Sequence, residues 1–158
     1  MTVLPEAAWT RRDDLALLAE TLGPDSMRWV GGAVRDTLLA LPVQDVDIAT
    51  CHAPDDVVRM LADVGIRTVP TGIAHGTITA LLESGPVEVT TLRHDVTTDG
   101  RRATVAFTDD WREDAARRDF TMNALYADPE TGAIFDYFDG LADLKARRVR
   151  FIGDPYRR

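Results

Sequence analysis

The stretch that decides the fold runs from Val30 to Thr50, Val-Gly-Gly-Ala-Val-Arg-Asp-Thr-Leu-Leu-Ala-Leu-Pro-Val-Gln-Asp-Val-Asp-Ile-Ala-Thr. A short apolar segment, Arg28 to Val30, leads into two glycines. A helical pattern follows them, with Val34, Leu38 and Leu41 at positions i, i+4 and i+7. The segment from Asp45 to Ala49 then alternates polar and apolar residues, as half-buried strands do. The stretch therefore predicts a strand, a turn, a short helix and a second strand that carries two aspartates.

The two aspartates are the first candidate functional residues. Asp45 and Asp47 are two positions apart, so a strand directs both side chains to one face while Val46 and Ile48 point to the core. Adjacent carboxylates repel each other unless one is protonated or a cation lies between them. Mg²⁺ fits best, because it prefers a couple of carboxylates together with substrate phosphates. From the triplet alone, two aspartates that merely line an exposed edge remain an alternative.

The glycine pair favours the functional interpretation. Gly31 and Gly32 lie where a strand meets a helix, and glycines there let backbone N–H groups approach an anion such as phosphate. Arg35, in the first turn of the helix, is placed to contact the same anion. Asp36 is expected either to pair with Arg35 or to act as a favourable charge at the helix start. Phosphate-binding glycines and paired carboxylates within about twenty residues predict metal-assisted nucleotidyl transfer.

Two runs in this stretch resemble a known family. Gly31-Gly32-Ala33-Val34-Arg35-Asp36, followed by Asp45-Val46-Asp47-Ile48-Ala49-Thr50, is similar to the signature of the class II (bacterial-type) tRNA nucleotidyltransferase and poly(A) polymerase family. That family belongs to the polymerase-beta-like nucleotidyltransferases. The resemblance implies an α/β (α+β) head domain in which helices flank a mixed sheet.

The resemblance also implies a chemistry. Asp45 and Asp47 would hold two Mg²⁺ ions, one activating the 3'-hydroxyl of an RNA and the other neutralising the triphosphate as pyrophosphate leaves. Gly31, Gly32 and Arg35 would bind the phosphates. The implied substrates are CTP, ATP and the 3' end of tRNA.

A second motif lies farther along the chain. Thr108-Asp109-Asp110 predicts a helix start, so Arg117 and Arg118 fall at the C-terminal end of that helix, where cations are favoured, and Asp119 would cap the next element. This structural explanation is complete by itself. However, the run from Arg117 to Leu125 resembles the family's ribose and triphosphate motif, and the resemblance assigns nucleotide contacts to Arg118 and Asp119, with Asn123 close by.

Composition limits the function classes. The chain has 158 residues, which predicts a single domain over residues 1–158, and a formal net charge of −8. So acidic a domain is a poor nucleic-acid surface, because phosphate backbones favour clustered Lys and Arg. Cys51 is the single cysteine, which excludes an internal disulfide framework. No run of roughly 18 apolar residues is present, and no signal-peptide pattern opens the chain. A cytoplasmic protein without membrane contact is therefore expected.

The remaining pattern predicts helices on either side of the Val30–Thr50 stretch, then mostly strands. One helix is expected from Glu6 to Leu22, and a second from Pro54 to Gly65 that buries Val57, Leu61 and Val64. Strands are expected at Ile66–Val69, Gly76–Leu82, Pro86–Leu92, Ala133–Phe135 and Val149–Ile152, and a short helix over Asp139–Lys145. Together these elements predict a mixed sheet.

Three further features have open roles. Glu88 shares a strand face with Thr90, which makes it a candidate third carboxylate beside Asp45 and Asp47, although a solvated glutamate is the alternative. His75 has no second metal-ligating residue nearby, so a structural or substrate-proximal role is expected. The polar segment Arg93–Ala103 predicts either a functional loop or a disordered segment. Its position resembles that of a flexible loop near the active site of the family, which implies that Arg101 and Arg102 face phosphates; simply solvated charges are the alternative.

The resemblance covers essentially the whole chain but only the N-terminal catalytic part of the family's enzymes. The family's base-selecting helix and tRNA-binding helical domains are not in these 158 residues, so tRNA contacts are expected mainly outside them. Whether the chain is a natural short protein, and its oligomeric state, stay open. The alternatives to CCA addition are a poly(A) polymerase head, another nucleotidyltransferase branch, and a nucleotide-binding module without turnover.

Overall fold

A computed structural model describes residues 2–98 and 102–153. These residues form five α-helices: α1 (Asp13–Leu22), α2 (Gly32–Leu38), α3 (Pro54–Ala62), α4 (Trp111–Ala116) and α5 (Gly140–Lys145). They also form nine strands: β1 (Met27–Val30), β2 (Asp47–Thr50), β3 (Arg67–Gly72), β4 (Thr77–Leu82), β5 (Gly85–Thr91), β6 (Arg93–Thr98), β7 (Arg102–Phe107), β8 (Leu125–Ala127) and β9 (Ile134–Asp136). Short 3₁₀ turns lie at Trp9–Arg11, Ile73–His75 and Thr121–Asn123.

Seven strands form one mixed sheet in the order β3-β4-β5-β2-β1-β8-β9, and β6 and β7 form a separate hairpin. The pairing of β2 with β5 is parallel, and the other pairs in the sheet are antiparallel. The predicted mixed sheet with flanking helices is therefore confirmed.

The register gives the sheet two different faces. Side chains directly opposite each other on neighbouring strands point to the same side. Trp29 on β1, Ile48 on β2 and Val89 on β5 are buried on one side, in a core that also contains Leu18 of α1 and Leu61 of α3. The opposite side is covered at one end by a smaller cluster beneath α4 and is open where β2 and β5 begin. The smaller cluster contains Val30, Ala49, Leu92, Ala115, Ala124, Tyr126 and Ile152.

The start of β2 differs from the prediction by two residues. The strand begins at Asp47, so Asp45 precedes it. The reason is that β1 ends at Val30, which pairs with Asp47, and the chain then turns at Gly31. On its other side, β2 pairs in parallel with β5, where Asp47 is opposite Glu88. This register brings Pro86 toward Asp45. Because proline has no N–H to donate, it cannot extend the pairing to Asp45. Val46 and Ile48 are buried, as expected.

Three predicted helices are shorter than expected. Residues Trp9–Arg11 form a 3₁₀ turn and Arg12 is extended, so α1 begins only at Asp13. Helix α2 ends at Leu38 because Ala40 has a positive φ of 58° and Pro42 follows, which leaves Leu41 51% exposed. Helix α3 ends at Ala62, so Val64 is outside the buried face.

The segment Arg93–Ala103 is not the irregular loop that its polarity predicts. Its described part contributes β6 and the start of β7, which pair from Arg93 with Phe107 to Thr98 with Arg102. The sequence signal was the β-branched content of Val96, Thr97 and Thr98, a composition that favours strands. Arg101 lies outside the described residues.

The end of the described chain also departs from the prediction. The expected strand Val149–Ile152 is reduced to one bridge between Phe120 and Phe151. Helix α5 does form, close to the Thr121–Asn123 turn. A Cβ at Gly140 would overlap the Thr121 carbonyl group, so only glycine allows this approach. None of the helices in the described part of the chain has the length and apolar character of a membrane span.

Candidate active site

Three carboxylates meet where the central strands β2 and β5 begin, a region that we call the open edge of the sheet. Asp47 and Glu88 are directly opposite each other on the parallel strands β2 and β5, and their side chains point to the same face. Asp45 and Asp47 line two adjoining cavities. One, of about 430 Å³, also contains Glu88 and Thr79, and the other, of about 380 Å³, contains Arg35 of α2. The structure therefore brings the sequence-predicted acids together and places a cavity on each side of them.

The environment of Asp47 is unfavourable for a negative charge. Burial raises the pKa of the Asp47 carboxyl above its ordinary value of 3.8, and the nearby Glu88 and Asp45 charges raise it further. The Arg118 charge acts in the opposite direction but does not reverse the shift. Arg118 is thus close enough to the carboxylates for their charges to interact, which places part of the second sequence motif beside the first.

A cation would relieve this repulsion. In the described ranges, no three His, Cys, Asp or Glu side chains form a complete metal-ligand cluster. Mg²⁺ does not need one, because it commonly binds one or two carboxylates and completes its shell with water and substrate phosphates. Asp45 and Asp47, with oxygen ligands open to two cavities, fit that mode of binding. The donor set is therefore compatible with Mg²⁺ that is held jointly by protein and nucleotide.

The glycine turn positions Arg35. Gly31 has a φ of 77°, which disfavours side-chain-bearing residues, and its amide donates to the Leu125 carbonyl at 3.3 Å. A Cβ at Gly32 would lie 3.3 Å from Nη2 of Arg35, so the missing side chain leaves room for the guanidinium against the turn. Arg35 Nε donates to Asp36 at 2.9 Å, which is one of the two roles expected for Asp36.

A hydrogen-bonded chain joins the two sequence motifs. Arg35 Nη1 donates to Oδ1 of Asn123 at 2.7 Å, across 88 positions of sequence. The Asn123 amide nitrogen donates to Oδ1 of Asp119 at 3.3 Å. Asp119 also accepts from the Phe120 amide, but it makes no capping bond to the Thr121–Asn123 turn, so the expected cap is absent. Asp119 instead ends the hydrogen-bonded chain that begins at Arg35.

Helix α4 places Arg117 and Arg118 at its C-terminal end, as the sequence predicts. Its N-cap, Asp110, accepts from the amides of Arg112 and Glu113. Two residues before the helix ends, Asp114 is buried and accepts from Arg117 Nε and Arg118 Nη2, both at 3.1 Å.

A second buried carboxylate supports the Thr121–Asn123 turn. Asp143 of α5 accepts from the Thr121 hydroxyl and from Nε of Arg148 and Arg150, at 3.1 and 2.9 Å. The Thr121 hydrogen bond and the two arginines hold the pKa of Asp143 below its usual range despite burial. This turn carries Asn123, so Asp143 stabilises one side of the site.

Sequence reasoning did not select Asp114, Tyr126 or Asp143 as functional residues. For Asp114 a signal was present, because an acid three and four positions before two arginines on a helix predicts ion pairs. Tyr126, whose hydroxyl donates to Asp114 at 2.6 Å, gave no such signal, since its partner is twelve positions away in sequence and the pairing depends on the fold.

The features with open roles are only partly resolved. His75 lies in the 3₁₀ turn Ile73–His75, and its carbonyl oxygen accepts from Arg93 Nη1 at 2.8 Å, which is a structural contact. Arg102 is the first residue of β7.

Comparison with known proteins identifies the family. A family model described as the poly A polymerase head domain matches residues 27–150. The chain belongs to this family. The match includes both sequence motifs and every carboxylate of the open edge, so the resemblance stated from the motifs is confirmed.

Individual relatives are CCA-adding enzymes. The mitochondrial CCA tRNA nucleotidyltransferase 1 of Mus musculus is 51% identical over 133 residues, which cover 84% of this chain and 30% of the relative. The CCA-adding enzyme of Levilactobacillus brevis is 49% identical over 132 residues, which cover 82% and 32%. The crystal structure of the Bacillus stearothermophilus CCA-adding enzyme in complex with CTP superposes with a TM-score of 0.75 at 36% identity, covering 89% of this chain and 33% of that one.

These matches confirm the polymerase-beta-like head fold. They also set a limit, because this chain spans about a third of the length of the relatives that it matches.

Proposed function

We propose that residues 1–158 form a single catalytic head domain that transfers CMP and AMP from CTP and ATP to the 3' end of tRNA, with release of pyrophosphate. The observation that carries the proposal is the pairing of Asp47 with Glu88 at the open edge of the sheet, with Asp45 beside them and a cavity on either side. Relatives with CCA-adding names that match over more than four fifths of this chain support the same activity.

The residues divide into two groups by their chemistry. Asp45 and Asp47 hold Mg²⁺, and Glu88 adds negative charge beside them. Mg²⁺, when bound, neutralises triphosphate charge and favours ionisation of the attacking hydroxyl. The second group, which includes two arginines, binds the nucleotide. Its proposed members are Gly31, Gly32, Arg35, Arg118, Asp119 and Asn123.

This division explains why few other catalytic groups are needed. Phosphoryl transfer depends mainly on positioning and on charge neutralisation, and little covalent chemistry falls to the protein. Arg35 and Arg118 are both held by acidic or amide partners on the protein, so their guanidinium groups are oriented before a nucleotide arrives. Oriented donors lose less entropy on binding than mobile ones.

The acidic charge of the chain bears on its RNA partner. The domain contributes the carboxylates and the nucleotide-binding residues. Because its net charge is −8, the main tRNA contacts lie outside these residues.

The decisive experiment measures incorporation of labelled CTP and ATP, with Mg²⁺, onto a tRNA transcript that lacks its 3'-terminal CCA. Asp47→Ala and Asp45→Ala should abolish addition, because each removes a proposed Mg²⁺ ligand. Asp55→Ala is the matched control, since Asp55 is an exposed aspartate at the start of α3 and should keep full activity. Unchanged addition by Asp47→Ala would contradict the proposal.

The family description favours a second candidate, a poly(A) polymerase head. The same assay separates the two functions. Addition of two C residues and one A supports CCA addition, whereas a run of A residues without C supports the second candidate. Mg²⁺-dependent nucleotide binding that is lost in Asp47→Ala, without any addition, would instead assign the chain a nucleotide-binding role.

A further inference from the structure

Asp114 is a buried carboxylate that the proposed catalytic groups do not include. Its side chain is 1% exposed and lies beneath α4. Four donors surround it: Arg117 Nε and Arg118 Nη2 at 3.1 Å, the Tyr126 hydroxyl at 2.6 Å and the Arg93 amide at 3.1 Å. A carboxylate with this many donors is held in one orientation, and so are the groups that donate to it.

The groups around Asp114 keep its carboxylate ionised. Two guanidinium groups share one carboxylate. Burial raises the pKa of Tyr126 well above its usual value, so its hydroxyl is neutral. Burial alone would raise the pKa of Asp114 too, but the Arg118 and Arg117 charges outweigh it and keep the pKa low, so the carboxylate is ionised. The ionised Asp114 carboxylate therefore accepts from two charged guanidinium groups and from one neutral hydroxyl group.

The Arg118 guanidinium lies on the same face of the sheet as Asp47. Val30 of β1 pairs with Tyr126 on one side and with Asp47 on the other, so Tyr126 and Asp47 point to the same face of the sheet, two strands apart. Arg118 Nε donates to the Tyr126 hydroxyl at 3.3 Å, which fixes the guanidinium over this part of the sheet. The Arg118 charge is also one of the groups that affect Asp47.

We propose that Asp114 is a positioning residue for the triphosphate of the nucleotide, acting through Arg118. Asp114 and Tyr126 together hold the Arg118 guanidinium beside Asp47, where it contacts the phosphates. A free arginine side chain has many rotamers, and holding one of them in advance lowers the entropic cost of binding an anion. The inference rests on the proposed function, because it takes a nucleoside triphosphate as the ligand of the site.

The test measures binding of inorganic tripolyphosphate and of CTP, each with Mg²⁺, by calorimetry on the full chain. In Asp114→Asn the carboxylate charge is lost, and an amide N–H₂ faces donors that previously had an acceptor. Both affinities should fall about tenfold, as expected for the loss of one charge-assisted phosphate contact. Binding of Mg²⁺ alone should not change, because Asp45 and Asp47 remain.

A double-mutant cycle separates positioning from a purely structural role. If Asp114 acts through Arg118, then Asp114→Asn should have no further effect on tripolyphosphate affinity in an Arg118→Ala background. Equal effects of Asp114→Asn with and without Arg118 would overturn the inference. Tyr126→Phe removes only the hydroxyl of the same cluster and serves in the cycle if Asp114→Asn does not fold. Its effect should be about threefold and should also vanish without Arg118.

Asp14→Asn is the matched control. Asp14 is another largely buried aspartate that pairs with an arginine, Arg12, but it lies on α1, on the covered face of the sheet. Its loss should leave both affinities unchanged. No tripolyphosphate binding by the unmodified chain would contradict the proposed function and this inference with it. Equal binding by the unmodified chain and Asp114→Asn would contradict this inference alone.

Discussion

Two sets of carboxylates on opposite sides of the same site have opposite surroundings. Asp114 and Asp143 are buried, and each accepts from two arginines and a hydroxyl group. Asp47 is partly buried as well. The two largest influences on its pKa are the burial and the charge of another carboxylate, Glu88. The pKa values reflect the difference, since those of Asp114 and Asp143 are lowered and that of Asp47 is raised.

The difference indicates what each set is for. A buried carboxylate with donors on every side stabilises the fold and orients the groups that donate to it. A carboxylate whose charge is opposed by its surroundings costs stability and persists where a ligand compensates for it. We propose that the ligand that satisfies Asp47 in this chain is a cation, and the arginines that Asp114 holds would then bind the anionic partner of that cation. The two sets are complementary halves of one proposed nucleotide site.

The largest expected effect comes from breaking the satisfied set. Asp114→Ala leaves two guanidinium groups and the Tyr126 hydroxyl without their shared acceptor, and should cost about 3 kcal/mol of unfolding free energy. Urea denaturation followed by circular dichroism measures it. Glu113→Ala, on the exposed side of the same helix, is the control and should change stability by less than about 0.5 kcal/mol. Similar small losses in both variants would show that the Asp114 cluster contributes little to the fold.

The unsatisfied set should respond in the opposite direction. Asp47→Asn removes a charge that its surroundings disfavour, so without Mg²⁺ at pH 7 it should raise unfolding free energy by about 1 kcal/mol. Because the folded-state pKa of Asp47 lies above the ordinary 3.8, the folded state binds this proton more tightly than the unfolded state does. The contribution of Asp47 to stability therefore falls as the pH rises from 3.8 through the raised pKa.

The gain from Asp47→Asn should consequently shrink to a small remainder below pH 3.8, where Asp47 is mostly protonated in both states. Urea titrations at pH 7 and at pH 3.5, both in the presence of a chelator, measure the two values. A loss of stability at pH 7 would show that Asp47 has a stabilising partner in the metal-free protein, and the contrast between the two sets of carboxylates would fail.

The same contrast explains what the sequence could predict. Asp45 and Asp47 were selected because two acids two positions apart in an alternating segment have a local signature, and the alternation placed Val46 and Ile48 correctly in the core. Glu88 was selected from its strand face and from the resemblance of its Glu-Val-Thr-Thr context to the family. The start of β2 was placed too early, since it depends on where β1 ends and on Pro86 in another strand. Those are properties of the sheet register, which no local pattern contains.

The supporting residues depend on the fold even more strongly. Arg35 and Asn123 are 88 positions apart, and nothing in either motif indicates that they share a hydrogen bond. The hairpin of β6 and β7 was missed for another reason. The segment Arg93–Ala103 is polar, so hydrophobic periodicity gave no signal there, and only the β-branched composition of β6 favoured pairing. Sequence reasoning thus located the chemistry of the site, and the structure supplied the contacts that orient it.

The smallest effect, and the one that sharpens the comparison most, is expected at Glu88. Glu88 is exposed, so Glu88→Gln should raise unfolding free energy by only about 0.3 kcal/mol, and by nothing in an Asp47→Asn background, where no charge remains opposite it. Carboxyl chemical shifts measured by NMR across a pH titration give the pKa of Asp47. In Glu88→Gln that pKa should fall but stay above 3.8, because burial contributes more to the shift than the Glu88 charge does. A pKa at or below 3.8 would mean that repulsion between the two acids, and not burial, makes Asp47 the unsatisfied carboxylate of the pair.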